Sequence, residues 1–218
     1  MGLYFQELNV KLLLAGASGL VGGHVLRLAL DDARVASVVA PTRRALAPHP
    51  KLSAPIVDFV RLPPDAPWWR ADAVICTLGT TMKQAGSEHA FRRVDYGYPL
   101  AVARLAAAAG TRTYVLNSAI GADPSSRFFY NRVKGELERD LAGLGFTSLT
   151  CVRPGLIGGA RETVRAGEWL MMQSLALFGP VLPRRRRLNP AAAIAAALLE
   201  AAIDARPGLH VVGSEWLL

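Results

Sequence analysis

The chain has 218 residues, 51% hydrophobic and 19% charged, with 25 Lys+Arg against 17 Asp+Glu for a net charge of +8. That is enough for one ordinary domain but too little for a dinucleotide-binding domain plus a second domain of full size, and the hydrophobic content excludes disorder. No apolar stretch reaches the roughly 20 residues of a membrane-spanning helix; the longest, Ala191 to Leu199, is followed at once by Glu200.

The positive charge would suit nucleic acid or anionic lipid, yet the lysines are only Lys11, Lys51, Lys83 and Lys134, and the arginines are scattered apart from the run Arg184 to Arg187. Such runs usually sit in solvent, so neither a nucleic acid nor a membrane is an expected partner, while a homo-oligomer stays open. Cys76 and Cys151 both lie inside apolar runs, which argues against a disulfide framework. The start lacks a secretory signal, and the expected location is cytoplasmic. Residues 1–6 include LYFQ, which resembles a protease-tag remnant, and they carry no functional weight.

Short apolar runs alternate with helical patterns, the signature of parallel strands with crossover helices. The first strand, Val10 to Ala15, runs into Gly16-Ala17-Ser18-Gly19-Leu20-Val21-Gly22 and a helix over Leu20 to Leu30. A glycine turn between strand and helix lets the backbone and the helix N-terminus approach a pyrophosphate. Gly16, Ser18, Gly19, Leu20, Val21 and Gly22 are therefore candidate cofactor contacts. After the second strand, Val35 to Ala40, comes Thr42-Arg43-Arg44, without the acidic residue that would accept from a ribose 2′-hydroxyl. Two guanidinium groups suit a 2′-phosphate and favour NADP(H) over NAD(H).

A third strand is expected over Pro55 to Leu62 and a fourth over Ala73 to Leu78, the latter leading into Thr77-Leu78-Gly79-Thr80, where ligands of open α/β sheets bind. A helix over Ser87 to Ala109 ends at Gly110 as a C-terminal cap. The fifth strand, Thr113 to Asn117, ends at Ser118, and in the helix Ser126 to Leu144, Tyr130 and Lys134 share a face at i and i+4. An ammonium beside a phenol and an oxidised nicotinamide both favour its anion, so Tyr130 would act as acid-base and Ser118 would hold the substrate oxygen. The sixth and seventh strands are Ser148 to Val152 and Leu209 to Val212. Helices over Val164 to Phe178 and Ala191 to Ala205 lie between them, the second with Asn189 as N-cap and Pro190 as first residue.

These motifs, with Arg153-Pro154-Gly155, resemble the short-chain dehydrogenase/reductase superfamily, and GASGLVG with a short C-terminal portion resembles its atypical members. CTLGTT, AGSEHAFRRVDY and SAIGADPSSRFFYNRVKGELE are similar to the group that contains the Tat-interactive protein and bacterial NAD(P)-binding oxidoreductases. The resemblance implies a Rossmann-type doubly wound parallel sheet over residues 1–218 as one domain, with about 155–190 as a substrate-covering region. It also implies Ser118, Tyr130 and Lys134 as the catalytic trio, Lys134 on the nicotinamide ribose, Asp58 and Phe59 near the adenine, and Pro154 at the cofactor. Asp95 stands where many members have Asn, which puts the usual proton-relay water in question.

His24, His49, His89 and His210 lack metal-ligand spacing, and no metal is expected. Arg161, Arg165 and Glu168 suit an anionic substrate or ordinary helix pairing, and the apolar residues from Trp169 to Phe178 suit a substrate cover. The expected function is an NADPH-dependent oxidoreductase acting on a small carbonyl or hydroxyl substrate. The alternative is an NADP(H)-binding redox sensor with little turnover.

Overall fold

The computed structural model describes residues 9–158 and 188–218. The strands are β1 (Val10–Ala15), β2 (Val35–Val39), β3 (Leu52–Ser53), β4 (Ala73–Cys76), β5 (Thr113–Asn117), β6 (Ser148–Arg153), β7 (Ile157–Gly158), β8 (Asn189–Pro190) and β9 (Gly208–Gly213). Seven of them form one sheet in the order β3-β2-β1-β4-β5-β6-β9, parallel throughout, while β7 pairs with β8. The helices are α1 (Leu20–Asp31), α2 (Met82–Ala85), α3 (Glu88–Arg92), α4 (Tyr98–Ala108), α5 (Phe129–Ala142) and α6 (Ala191–Asp204). This is a Rossmann-type doubly wound sheet. The strand order reverses between β1 and β4, and the crevice at their carboxyl ends is where such sheets bind ligands.

Strand parity explains the nearly unbroken apolar runs. Leu12, Leu14, Ile75 and Val115 pack with α1 and α6 on one face, and Leu13, Ala15, Val74, Cys76, Tyr114 and Leu116 pack with α4 and α5 on the other. A strand buried on both faces has no polar positions to alternate.

Three expectations change. The third strand is Leu52–Ser53, not Pro55 to Leu62; beyond it only the bridge Thr42 to Ile56 remains. Pro55 lacks an N–H, and the chain turns where Arg61 N donates to the Asp58 carbonyl at 3.0 Å. The long helix at 87–109 is instead α3, a π-helical turn over Arg93–Gly97, and α4. Finally, Asn189 is not a helix cap. Pro190 takes that position, and the buried Asn189 amide donates to the carbonyls of Ser214 (2.9 Å) and Leu217 (3.0 Å) and accepts from Gly155 N at 2.7 Å. Those bonds tie the C-terminal residues to the loop after β6. Gly110, with φ +91°, does follow α4 in the left-handed conformation.

Candidate active site

The glycine turn is built by clearance. Gly16 has φ +98°, and a Cβ there would lie 2.6 Å from Thr77 Oγ1 and 2.8 Å from the Thr77 carbonyl carbon. A Cβ on Gly22 would lie 2.1 Å from the Gly16 carbonyl oxygen, so α1 starts against the end of β1 only because no side chain intervenes. Gly19 caps α1 with no side-chain bond, and the first turn holds no acidic residue. Its amides and the positive end of the helix are left for an anion. Gly19, Leu20 and Val21 line a cleft together with Thr77, Leu78, Gly79, Thr80, Gln84, Asp95, Asn117, Ser118, Tyr130, Lys134 and Ile157. Ser18 is exposed on the turn.

A second hollow continues from this cleft past Leu78, Gly79 and Thr80 and is lined by Arg43, Phe59, Gln84, Arg93 and Tyr98. Arg43 therefore reaches the expected adenosine end, while Arg44 stands exposed beside it. Thr42 is buried and structural: its N–H and carbonyl pair with Pro55 and Val57, and its Oγ1 accepts from Arg44 N. Phe59 packs on Tyr98 with ring centroids 5.8 Å apart. Asp58 is exposed, its Oδ1 accepting from Val60 N at 2.9 Å in a turn.

The other side of the cleft is carried by β5 and α5. Gly135 allows the loop after β5 to lie directly on α5, since a Cβ there would meet Asp123 at 2.2 Å and Pro124 at 2.3 Å. Asp123 N donates to the Asn131 carbonyl and Arg132 to the Ser126 carbonyl, which fixes the loop to the helix. Phe91 of α3, fully buried, packs on Tyr130 at a centroid distance of 5.7 Å. Ser118 N donates to the Val152 carbonyl and Ile120 N to that of Pro154, so the β6 end supports the start of the loop.

One buried and one partly buried charge pair underlie these residues. Lys134 Nζ lies 2.8 Å from Asp95 Oδ1, with side-chain exposures of only 4% and 2%, and Asp95 Oδ2 accepts from Thr80 N at 2.7 Å. Burial works against the Lys134 charge, but Asp95, Tyr130 and Cys76 together outweigh it and raise the lysine above its ordinary pKa. Ser118 Oγ donates to Glu138 Oε1, and Arg153 donates to both oxygens of Glu138. Arg153 is likewise raised, chiefly by its bond to Glu138.

In the protein alone the Tyr130 phenol is raised, not lowered. Although 40% of Tyr130 is exposed, its surroundings are dense enough that desolvation pushes the phenol above its ordinary value; Lys134 opposes that shift and Asp95 adds to it. The ammonium that was to favour the phenolate is already paired. Cys76, fully buried with its thiol pushed up by burial, is a core side chain rather than a nucleophile.

No family model matches the chain. It is 34% identical to "Protein fmp52, mitochondrial" of Aspergillus niger over 96% of this chain and 94% of that protein. It is 37% identical to HTATIP2 of Rattus norvegicus over 76% of this chain and 70% of that protein. The chain belongs to the family of Fmp52 and HTATIP2. Among solved structures, MoeE5 in complex with UDP-glucose and NAD aligns with a TM-score of 0.70 at 17% identity, covering 93% of this chain and 76% of that one. A short chain dehydrogenase family protein from Francisella tularensis aligns with a TM-score of 0.61 at 13% identity, covering 95% and 98%. These two likenesses bear on the fold.

The Fmp52 relatives overturn the cytoplasmic expectation, since matches of 94% of their length carry the name mitochondrial. Cysteine usage reports on redox conditions and does not distinguish one reducing compartment from another.

Sequence reasoning missed Gln84, Arg93, Tyr98, Asn117 and Glu138 as neighbours of the site. Glu138 had a signal: Tyr130, Lys134 and Glu138 are spaced i, i+4, i+8 on one helix face. Asn117 had none, because it ends a strand and only the fold turns it toward the cleft. The helix at Val164 to Phe178, the residues Arg161, Arg165 and Glu168, the apolar stretch Trp169 to Phe178 and the run Arg184 to Arg187 lie outside the described residues, as do residues 1–6.

Proposed function

We propose that this protein is an NADPH-dependent reductase of small carbonyl compounds, with Tyr130 as the proton donor. The observation that carries the reading is the convergence of Ser118, Tyr130 and Lys134 with the uncapped glycine turn on one cleft.

The residues present fit a dinucleotide. The turn is cleared of side chains where a pyrophosphate would approach, and Asn117 Oδ1 is a buried acceptor without a partner among the described residues, lining the same cleft. Arg43, with Arg93 across the hollow, supplies cationic donors suited to a 2′-phosphate. Bound there, the cofactor would supply the hydride for a carbonyl carbon. Tyr130 Oη then delivers the proton to the carbonyl oxygen, and Lys134 at the base of the cleft holds positive charge beside it. Ser118, whose own proton is engaged by Glu138, presents oxygen lone pairs to the cleft and so accepts from a hydroxyl. The product alcohol meets this requirement.

Calorimetric titration of NADPH into wild type and Tyr130→Phe, followed by a screen of aldehydes, ketones and quinones for NADPH oxidation, tests the reading. Tight binding by both with turnover lost only in Tyr130→Phe is the expected result. Tight binding with no turnover in either would make this an NADP(H)-binding sensor, and no binding would end both readings.

A further inference from the structure

We propose that Ser118 is held by Glu138 and Arg153 as a hydrogen-bond acceptor toward the cleft, and that it selects carbonyl substrates carrying a neighbouring hydroxyl. This rests on the reductase reading of the site and narrows it to a substrate class.

Three elements meet at this serine. Ser118 follows β5, is 4% exposed, and is pinned by its N–H to the Val152 carbonyl at 2.7 Å. Glu138 comes from α5, on the helix face that carries Tyr130 and Lys134, and is 9% exposed. Arg153 ends β6 and donates from Nε to Glu138 Oε1 at 3.0 Å and from Nη2 to Glu138 Oε2 at 2.5 Å.

The direction of the remaining bond follows from these contacts. A carboxylate gripped through both oxygens by one guanidinium has no proton to give. The bond between Ser118 Oγ and Glu138 Oε1 is therefore donated by the serine. A serine hydroxyl has one proton, and once that proton is committed only lone pairs are left for the cleft that Ser118 lines.

That is the wrong sense for a bare carbonyl. A ketone oxygen is also only an acceptor, and beside Ser118 it would leave lone pairs facing lone pairs in a poorly hydrated place. A ligand that carries an O–H meets Ser118 without this loss, while its carbonyl oxygen takes the Tyr130 proton. The cleft volume is about 150 Å³, part of which NADPH would fill, so hydroxyl and carbonyl must be close neighbours on the ligand. The charged side chains lining the cleft among the described residues, Lys134 and Asp95, are paired with each other at 2.8 Å, which fits an uncharged compound. The class is the α-hydroxycarbonyl compounds. In the step, the carbonyl carbon gains hydride as NADPH is oxidised, its oxygen gains the proton of Tyr130 Oη, and the tyrosine is reprotonated from solvent. The neighbouring hydroxyl keeps its own proton, and the product is a vicinal diol.

The experiment compares hydroxyacetone with acetone on the full chain, by NADPH oxidation and by saturation-transfer NMR titration with NADPH present, in wild type, Ser118→Ala and Glu138→Ala. Wild type is expected to favour hydroxyacetone at least about tenfold in kcat/KM and in affinity. Ser118→Ala should lose that preference while binding NADPH as wild type does. Glu138→Ala frees the serine to donate, so acetone should gain, a change that lost packing alone would not produce; should this variant not fold, Ser118→Ala decides. Equal handling of the two ketones by wild type, or a preference that survives in Ser118→Ala, would overturn the proposal. So would weaker NADPH binding by Ser118→Ala with no preference to lose, which would assign the acceptor to the cofactor. Selective binding of hydroxyacetone without NADPH oxidation would instead remove the reductase reading and leave the role of Ser118 standing.

Discussion

The two walls of the cleft are made by opposite means. The β1–α1 wall is made by omission: Gly16 and Gly22 remove side chains, Gly19 leaves α1 uncapped, and no charge is buried there. The β5–α5 wall is made by matching: Lys134 with Asp95, and Ser118 with Glu138 and Arg153, all joined by hydrogen bonds or ion pairs across elements. The first wall works because nothing is in the way and tolerates no added atoms. The second works because each polar group has a partner, and it tolerates isosteric changes better than truncations.

That contrast can be tested by mutation. Gly22→Ala should have the largest effect, because its Cβ would sit 2.1 Å from a backbone oxygen that cannot rotate away. We expect a loss of about 3 kcal/mol or more in urea unfolding, together with loss of NADPH binding; a near-neutral result would mean that α1 is not pinned to β1 as described. Glu138→Ala, on the matching wall, strands Arg153 and Ser118. Because the Arg153 side chain is 31% exposed, we expect about 2 kcal/mol rather than the larger cost of a fully buried pair. Glu138→Gln, measured by the same unfolding curves, should cost less than Glu138→Ala; equal costs would mean that packing rather than pairing matters there.

Arg43→Ala with Arg44→Ala adds nothing to either wall and should leave stability unchanged while lowering NADPH affinity about tenfold relative to NADH, equivalent to about 1.4 kcal/mol. Competitive calorimetry reads this directly, and Arg43→Ala alone should account for most of it, because Arg43 lines the hollow. An unaltered ratio would remove the 2′-phosphate reading. The smallest effect serves as a control outside both walls. The Arg34 hydrogen bond holds the Asp32 carboxyl below its ordinary pKa. Its stabilisation is therefore present above the unfolded value of about 3.9 and lost as pH falls through the lower folded one. Asp32→Asn should cost about 0.5 kcal/mol at neutral pH, as for other partly exposed pairs, and the urea midpoints of mutant and wild type should converge in acid.

The same contrast explains what could be read from the sequence. A wall made by omission leaves its record locally: three glycines in seven residues, between a strand pattern and a helix pattern, specify both the fold class and the turn. Tyr130 and Lys134 were legible for a similar reason, being one helical turn apart. Partners chosen across elements leave no such record. Asp95 and Lys134 are separated by 39 residues in order to lie 2.8 Å apart, and nothing in either local pattern announces the pairing, so the sequence suggested a free ammonium and a lowered phenol. The third strand was misplaced because apolar content at 55–62 outweighed Pro55 in the reading, while in the fold the missing N–H leaves only a bridge. Asn189-Pro190 imitated a helix start because a cap and a buried hydrogen-bonding amide call for the same residue type.

The π turn at Arg93–Gly97 has a consequence for how this chain tolerates changes in length. Such a turn fits one more residue into its coil than an α-helix does. Deleting a single residue there would let the segment close into regular α-helix while the turns on either side kept nearly the same orientation. The hydrophobic pattern would survive almost intact, and the chain would still fold as a doubly wound sheet. Asp95 would leave the crevice, however, and the lysine opposite would be left with its charge unclaimed. One codon therefore separates a cleft whose buried lysine is paired from one whose lysine is not.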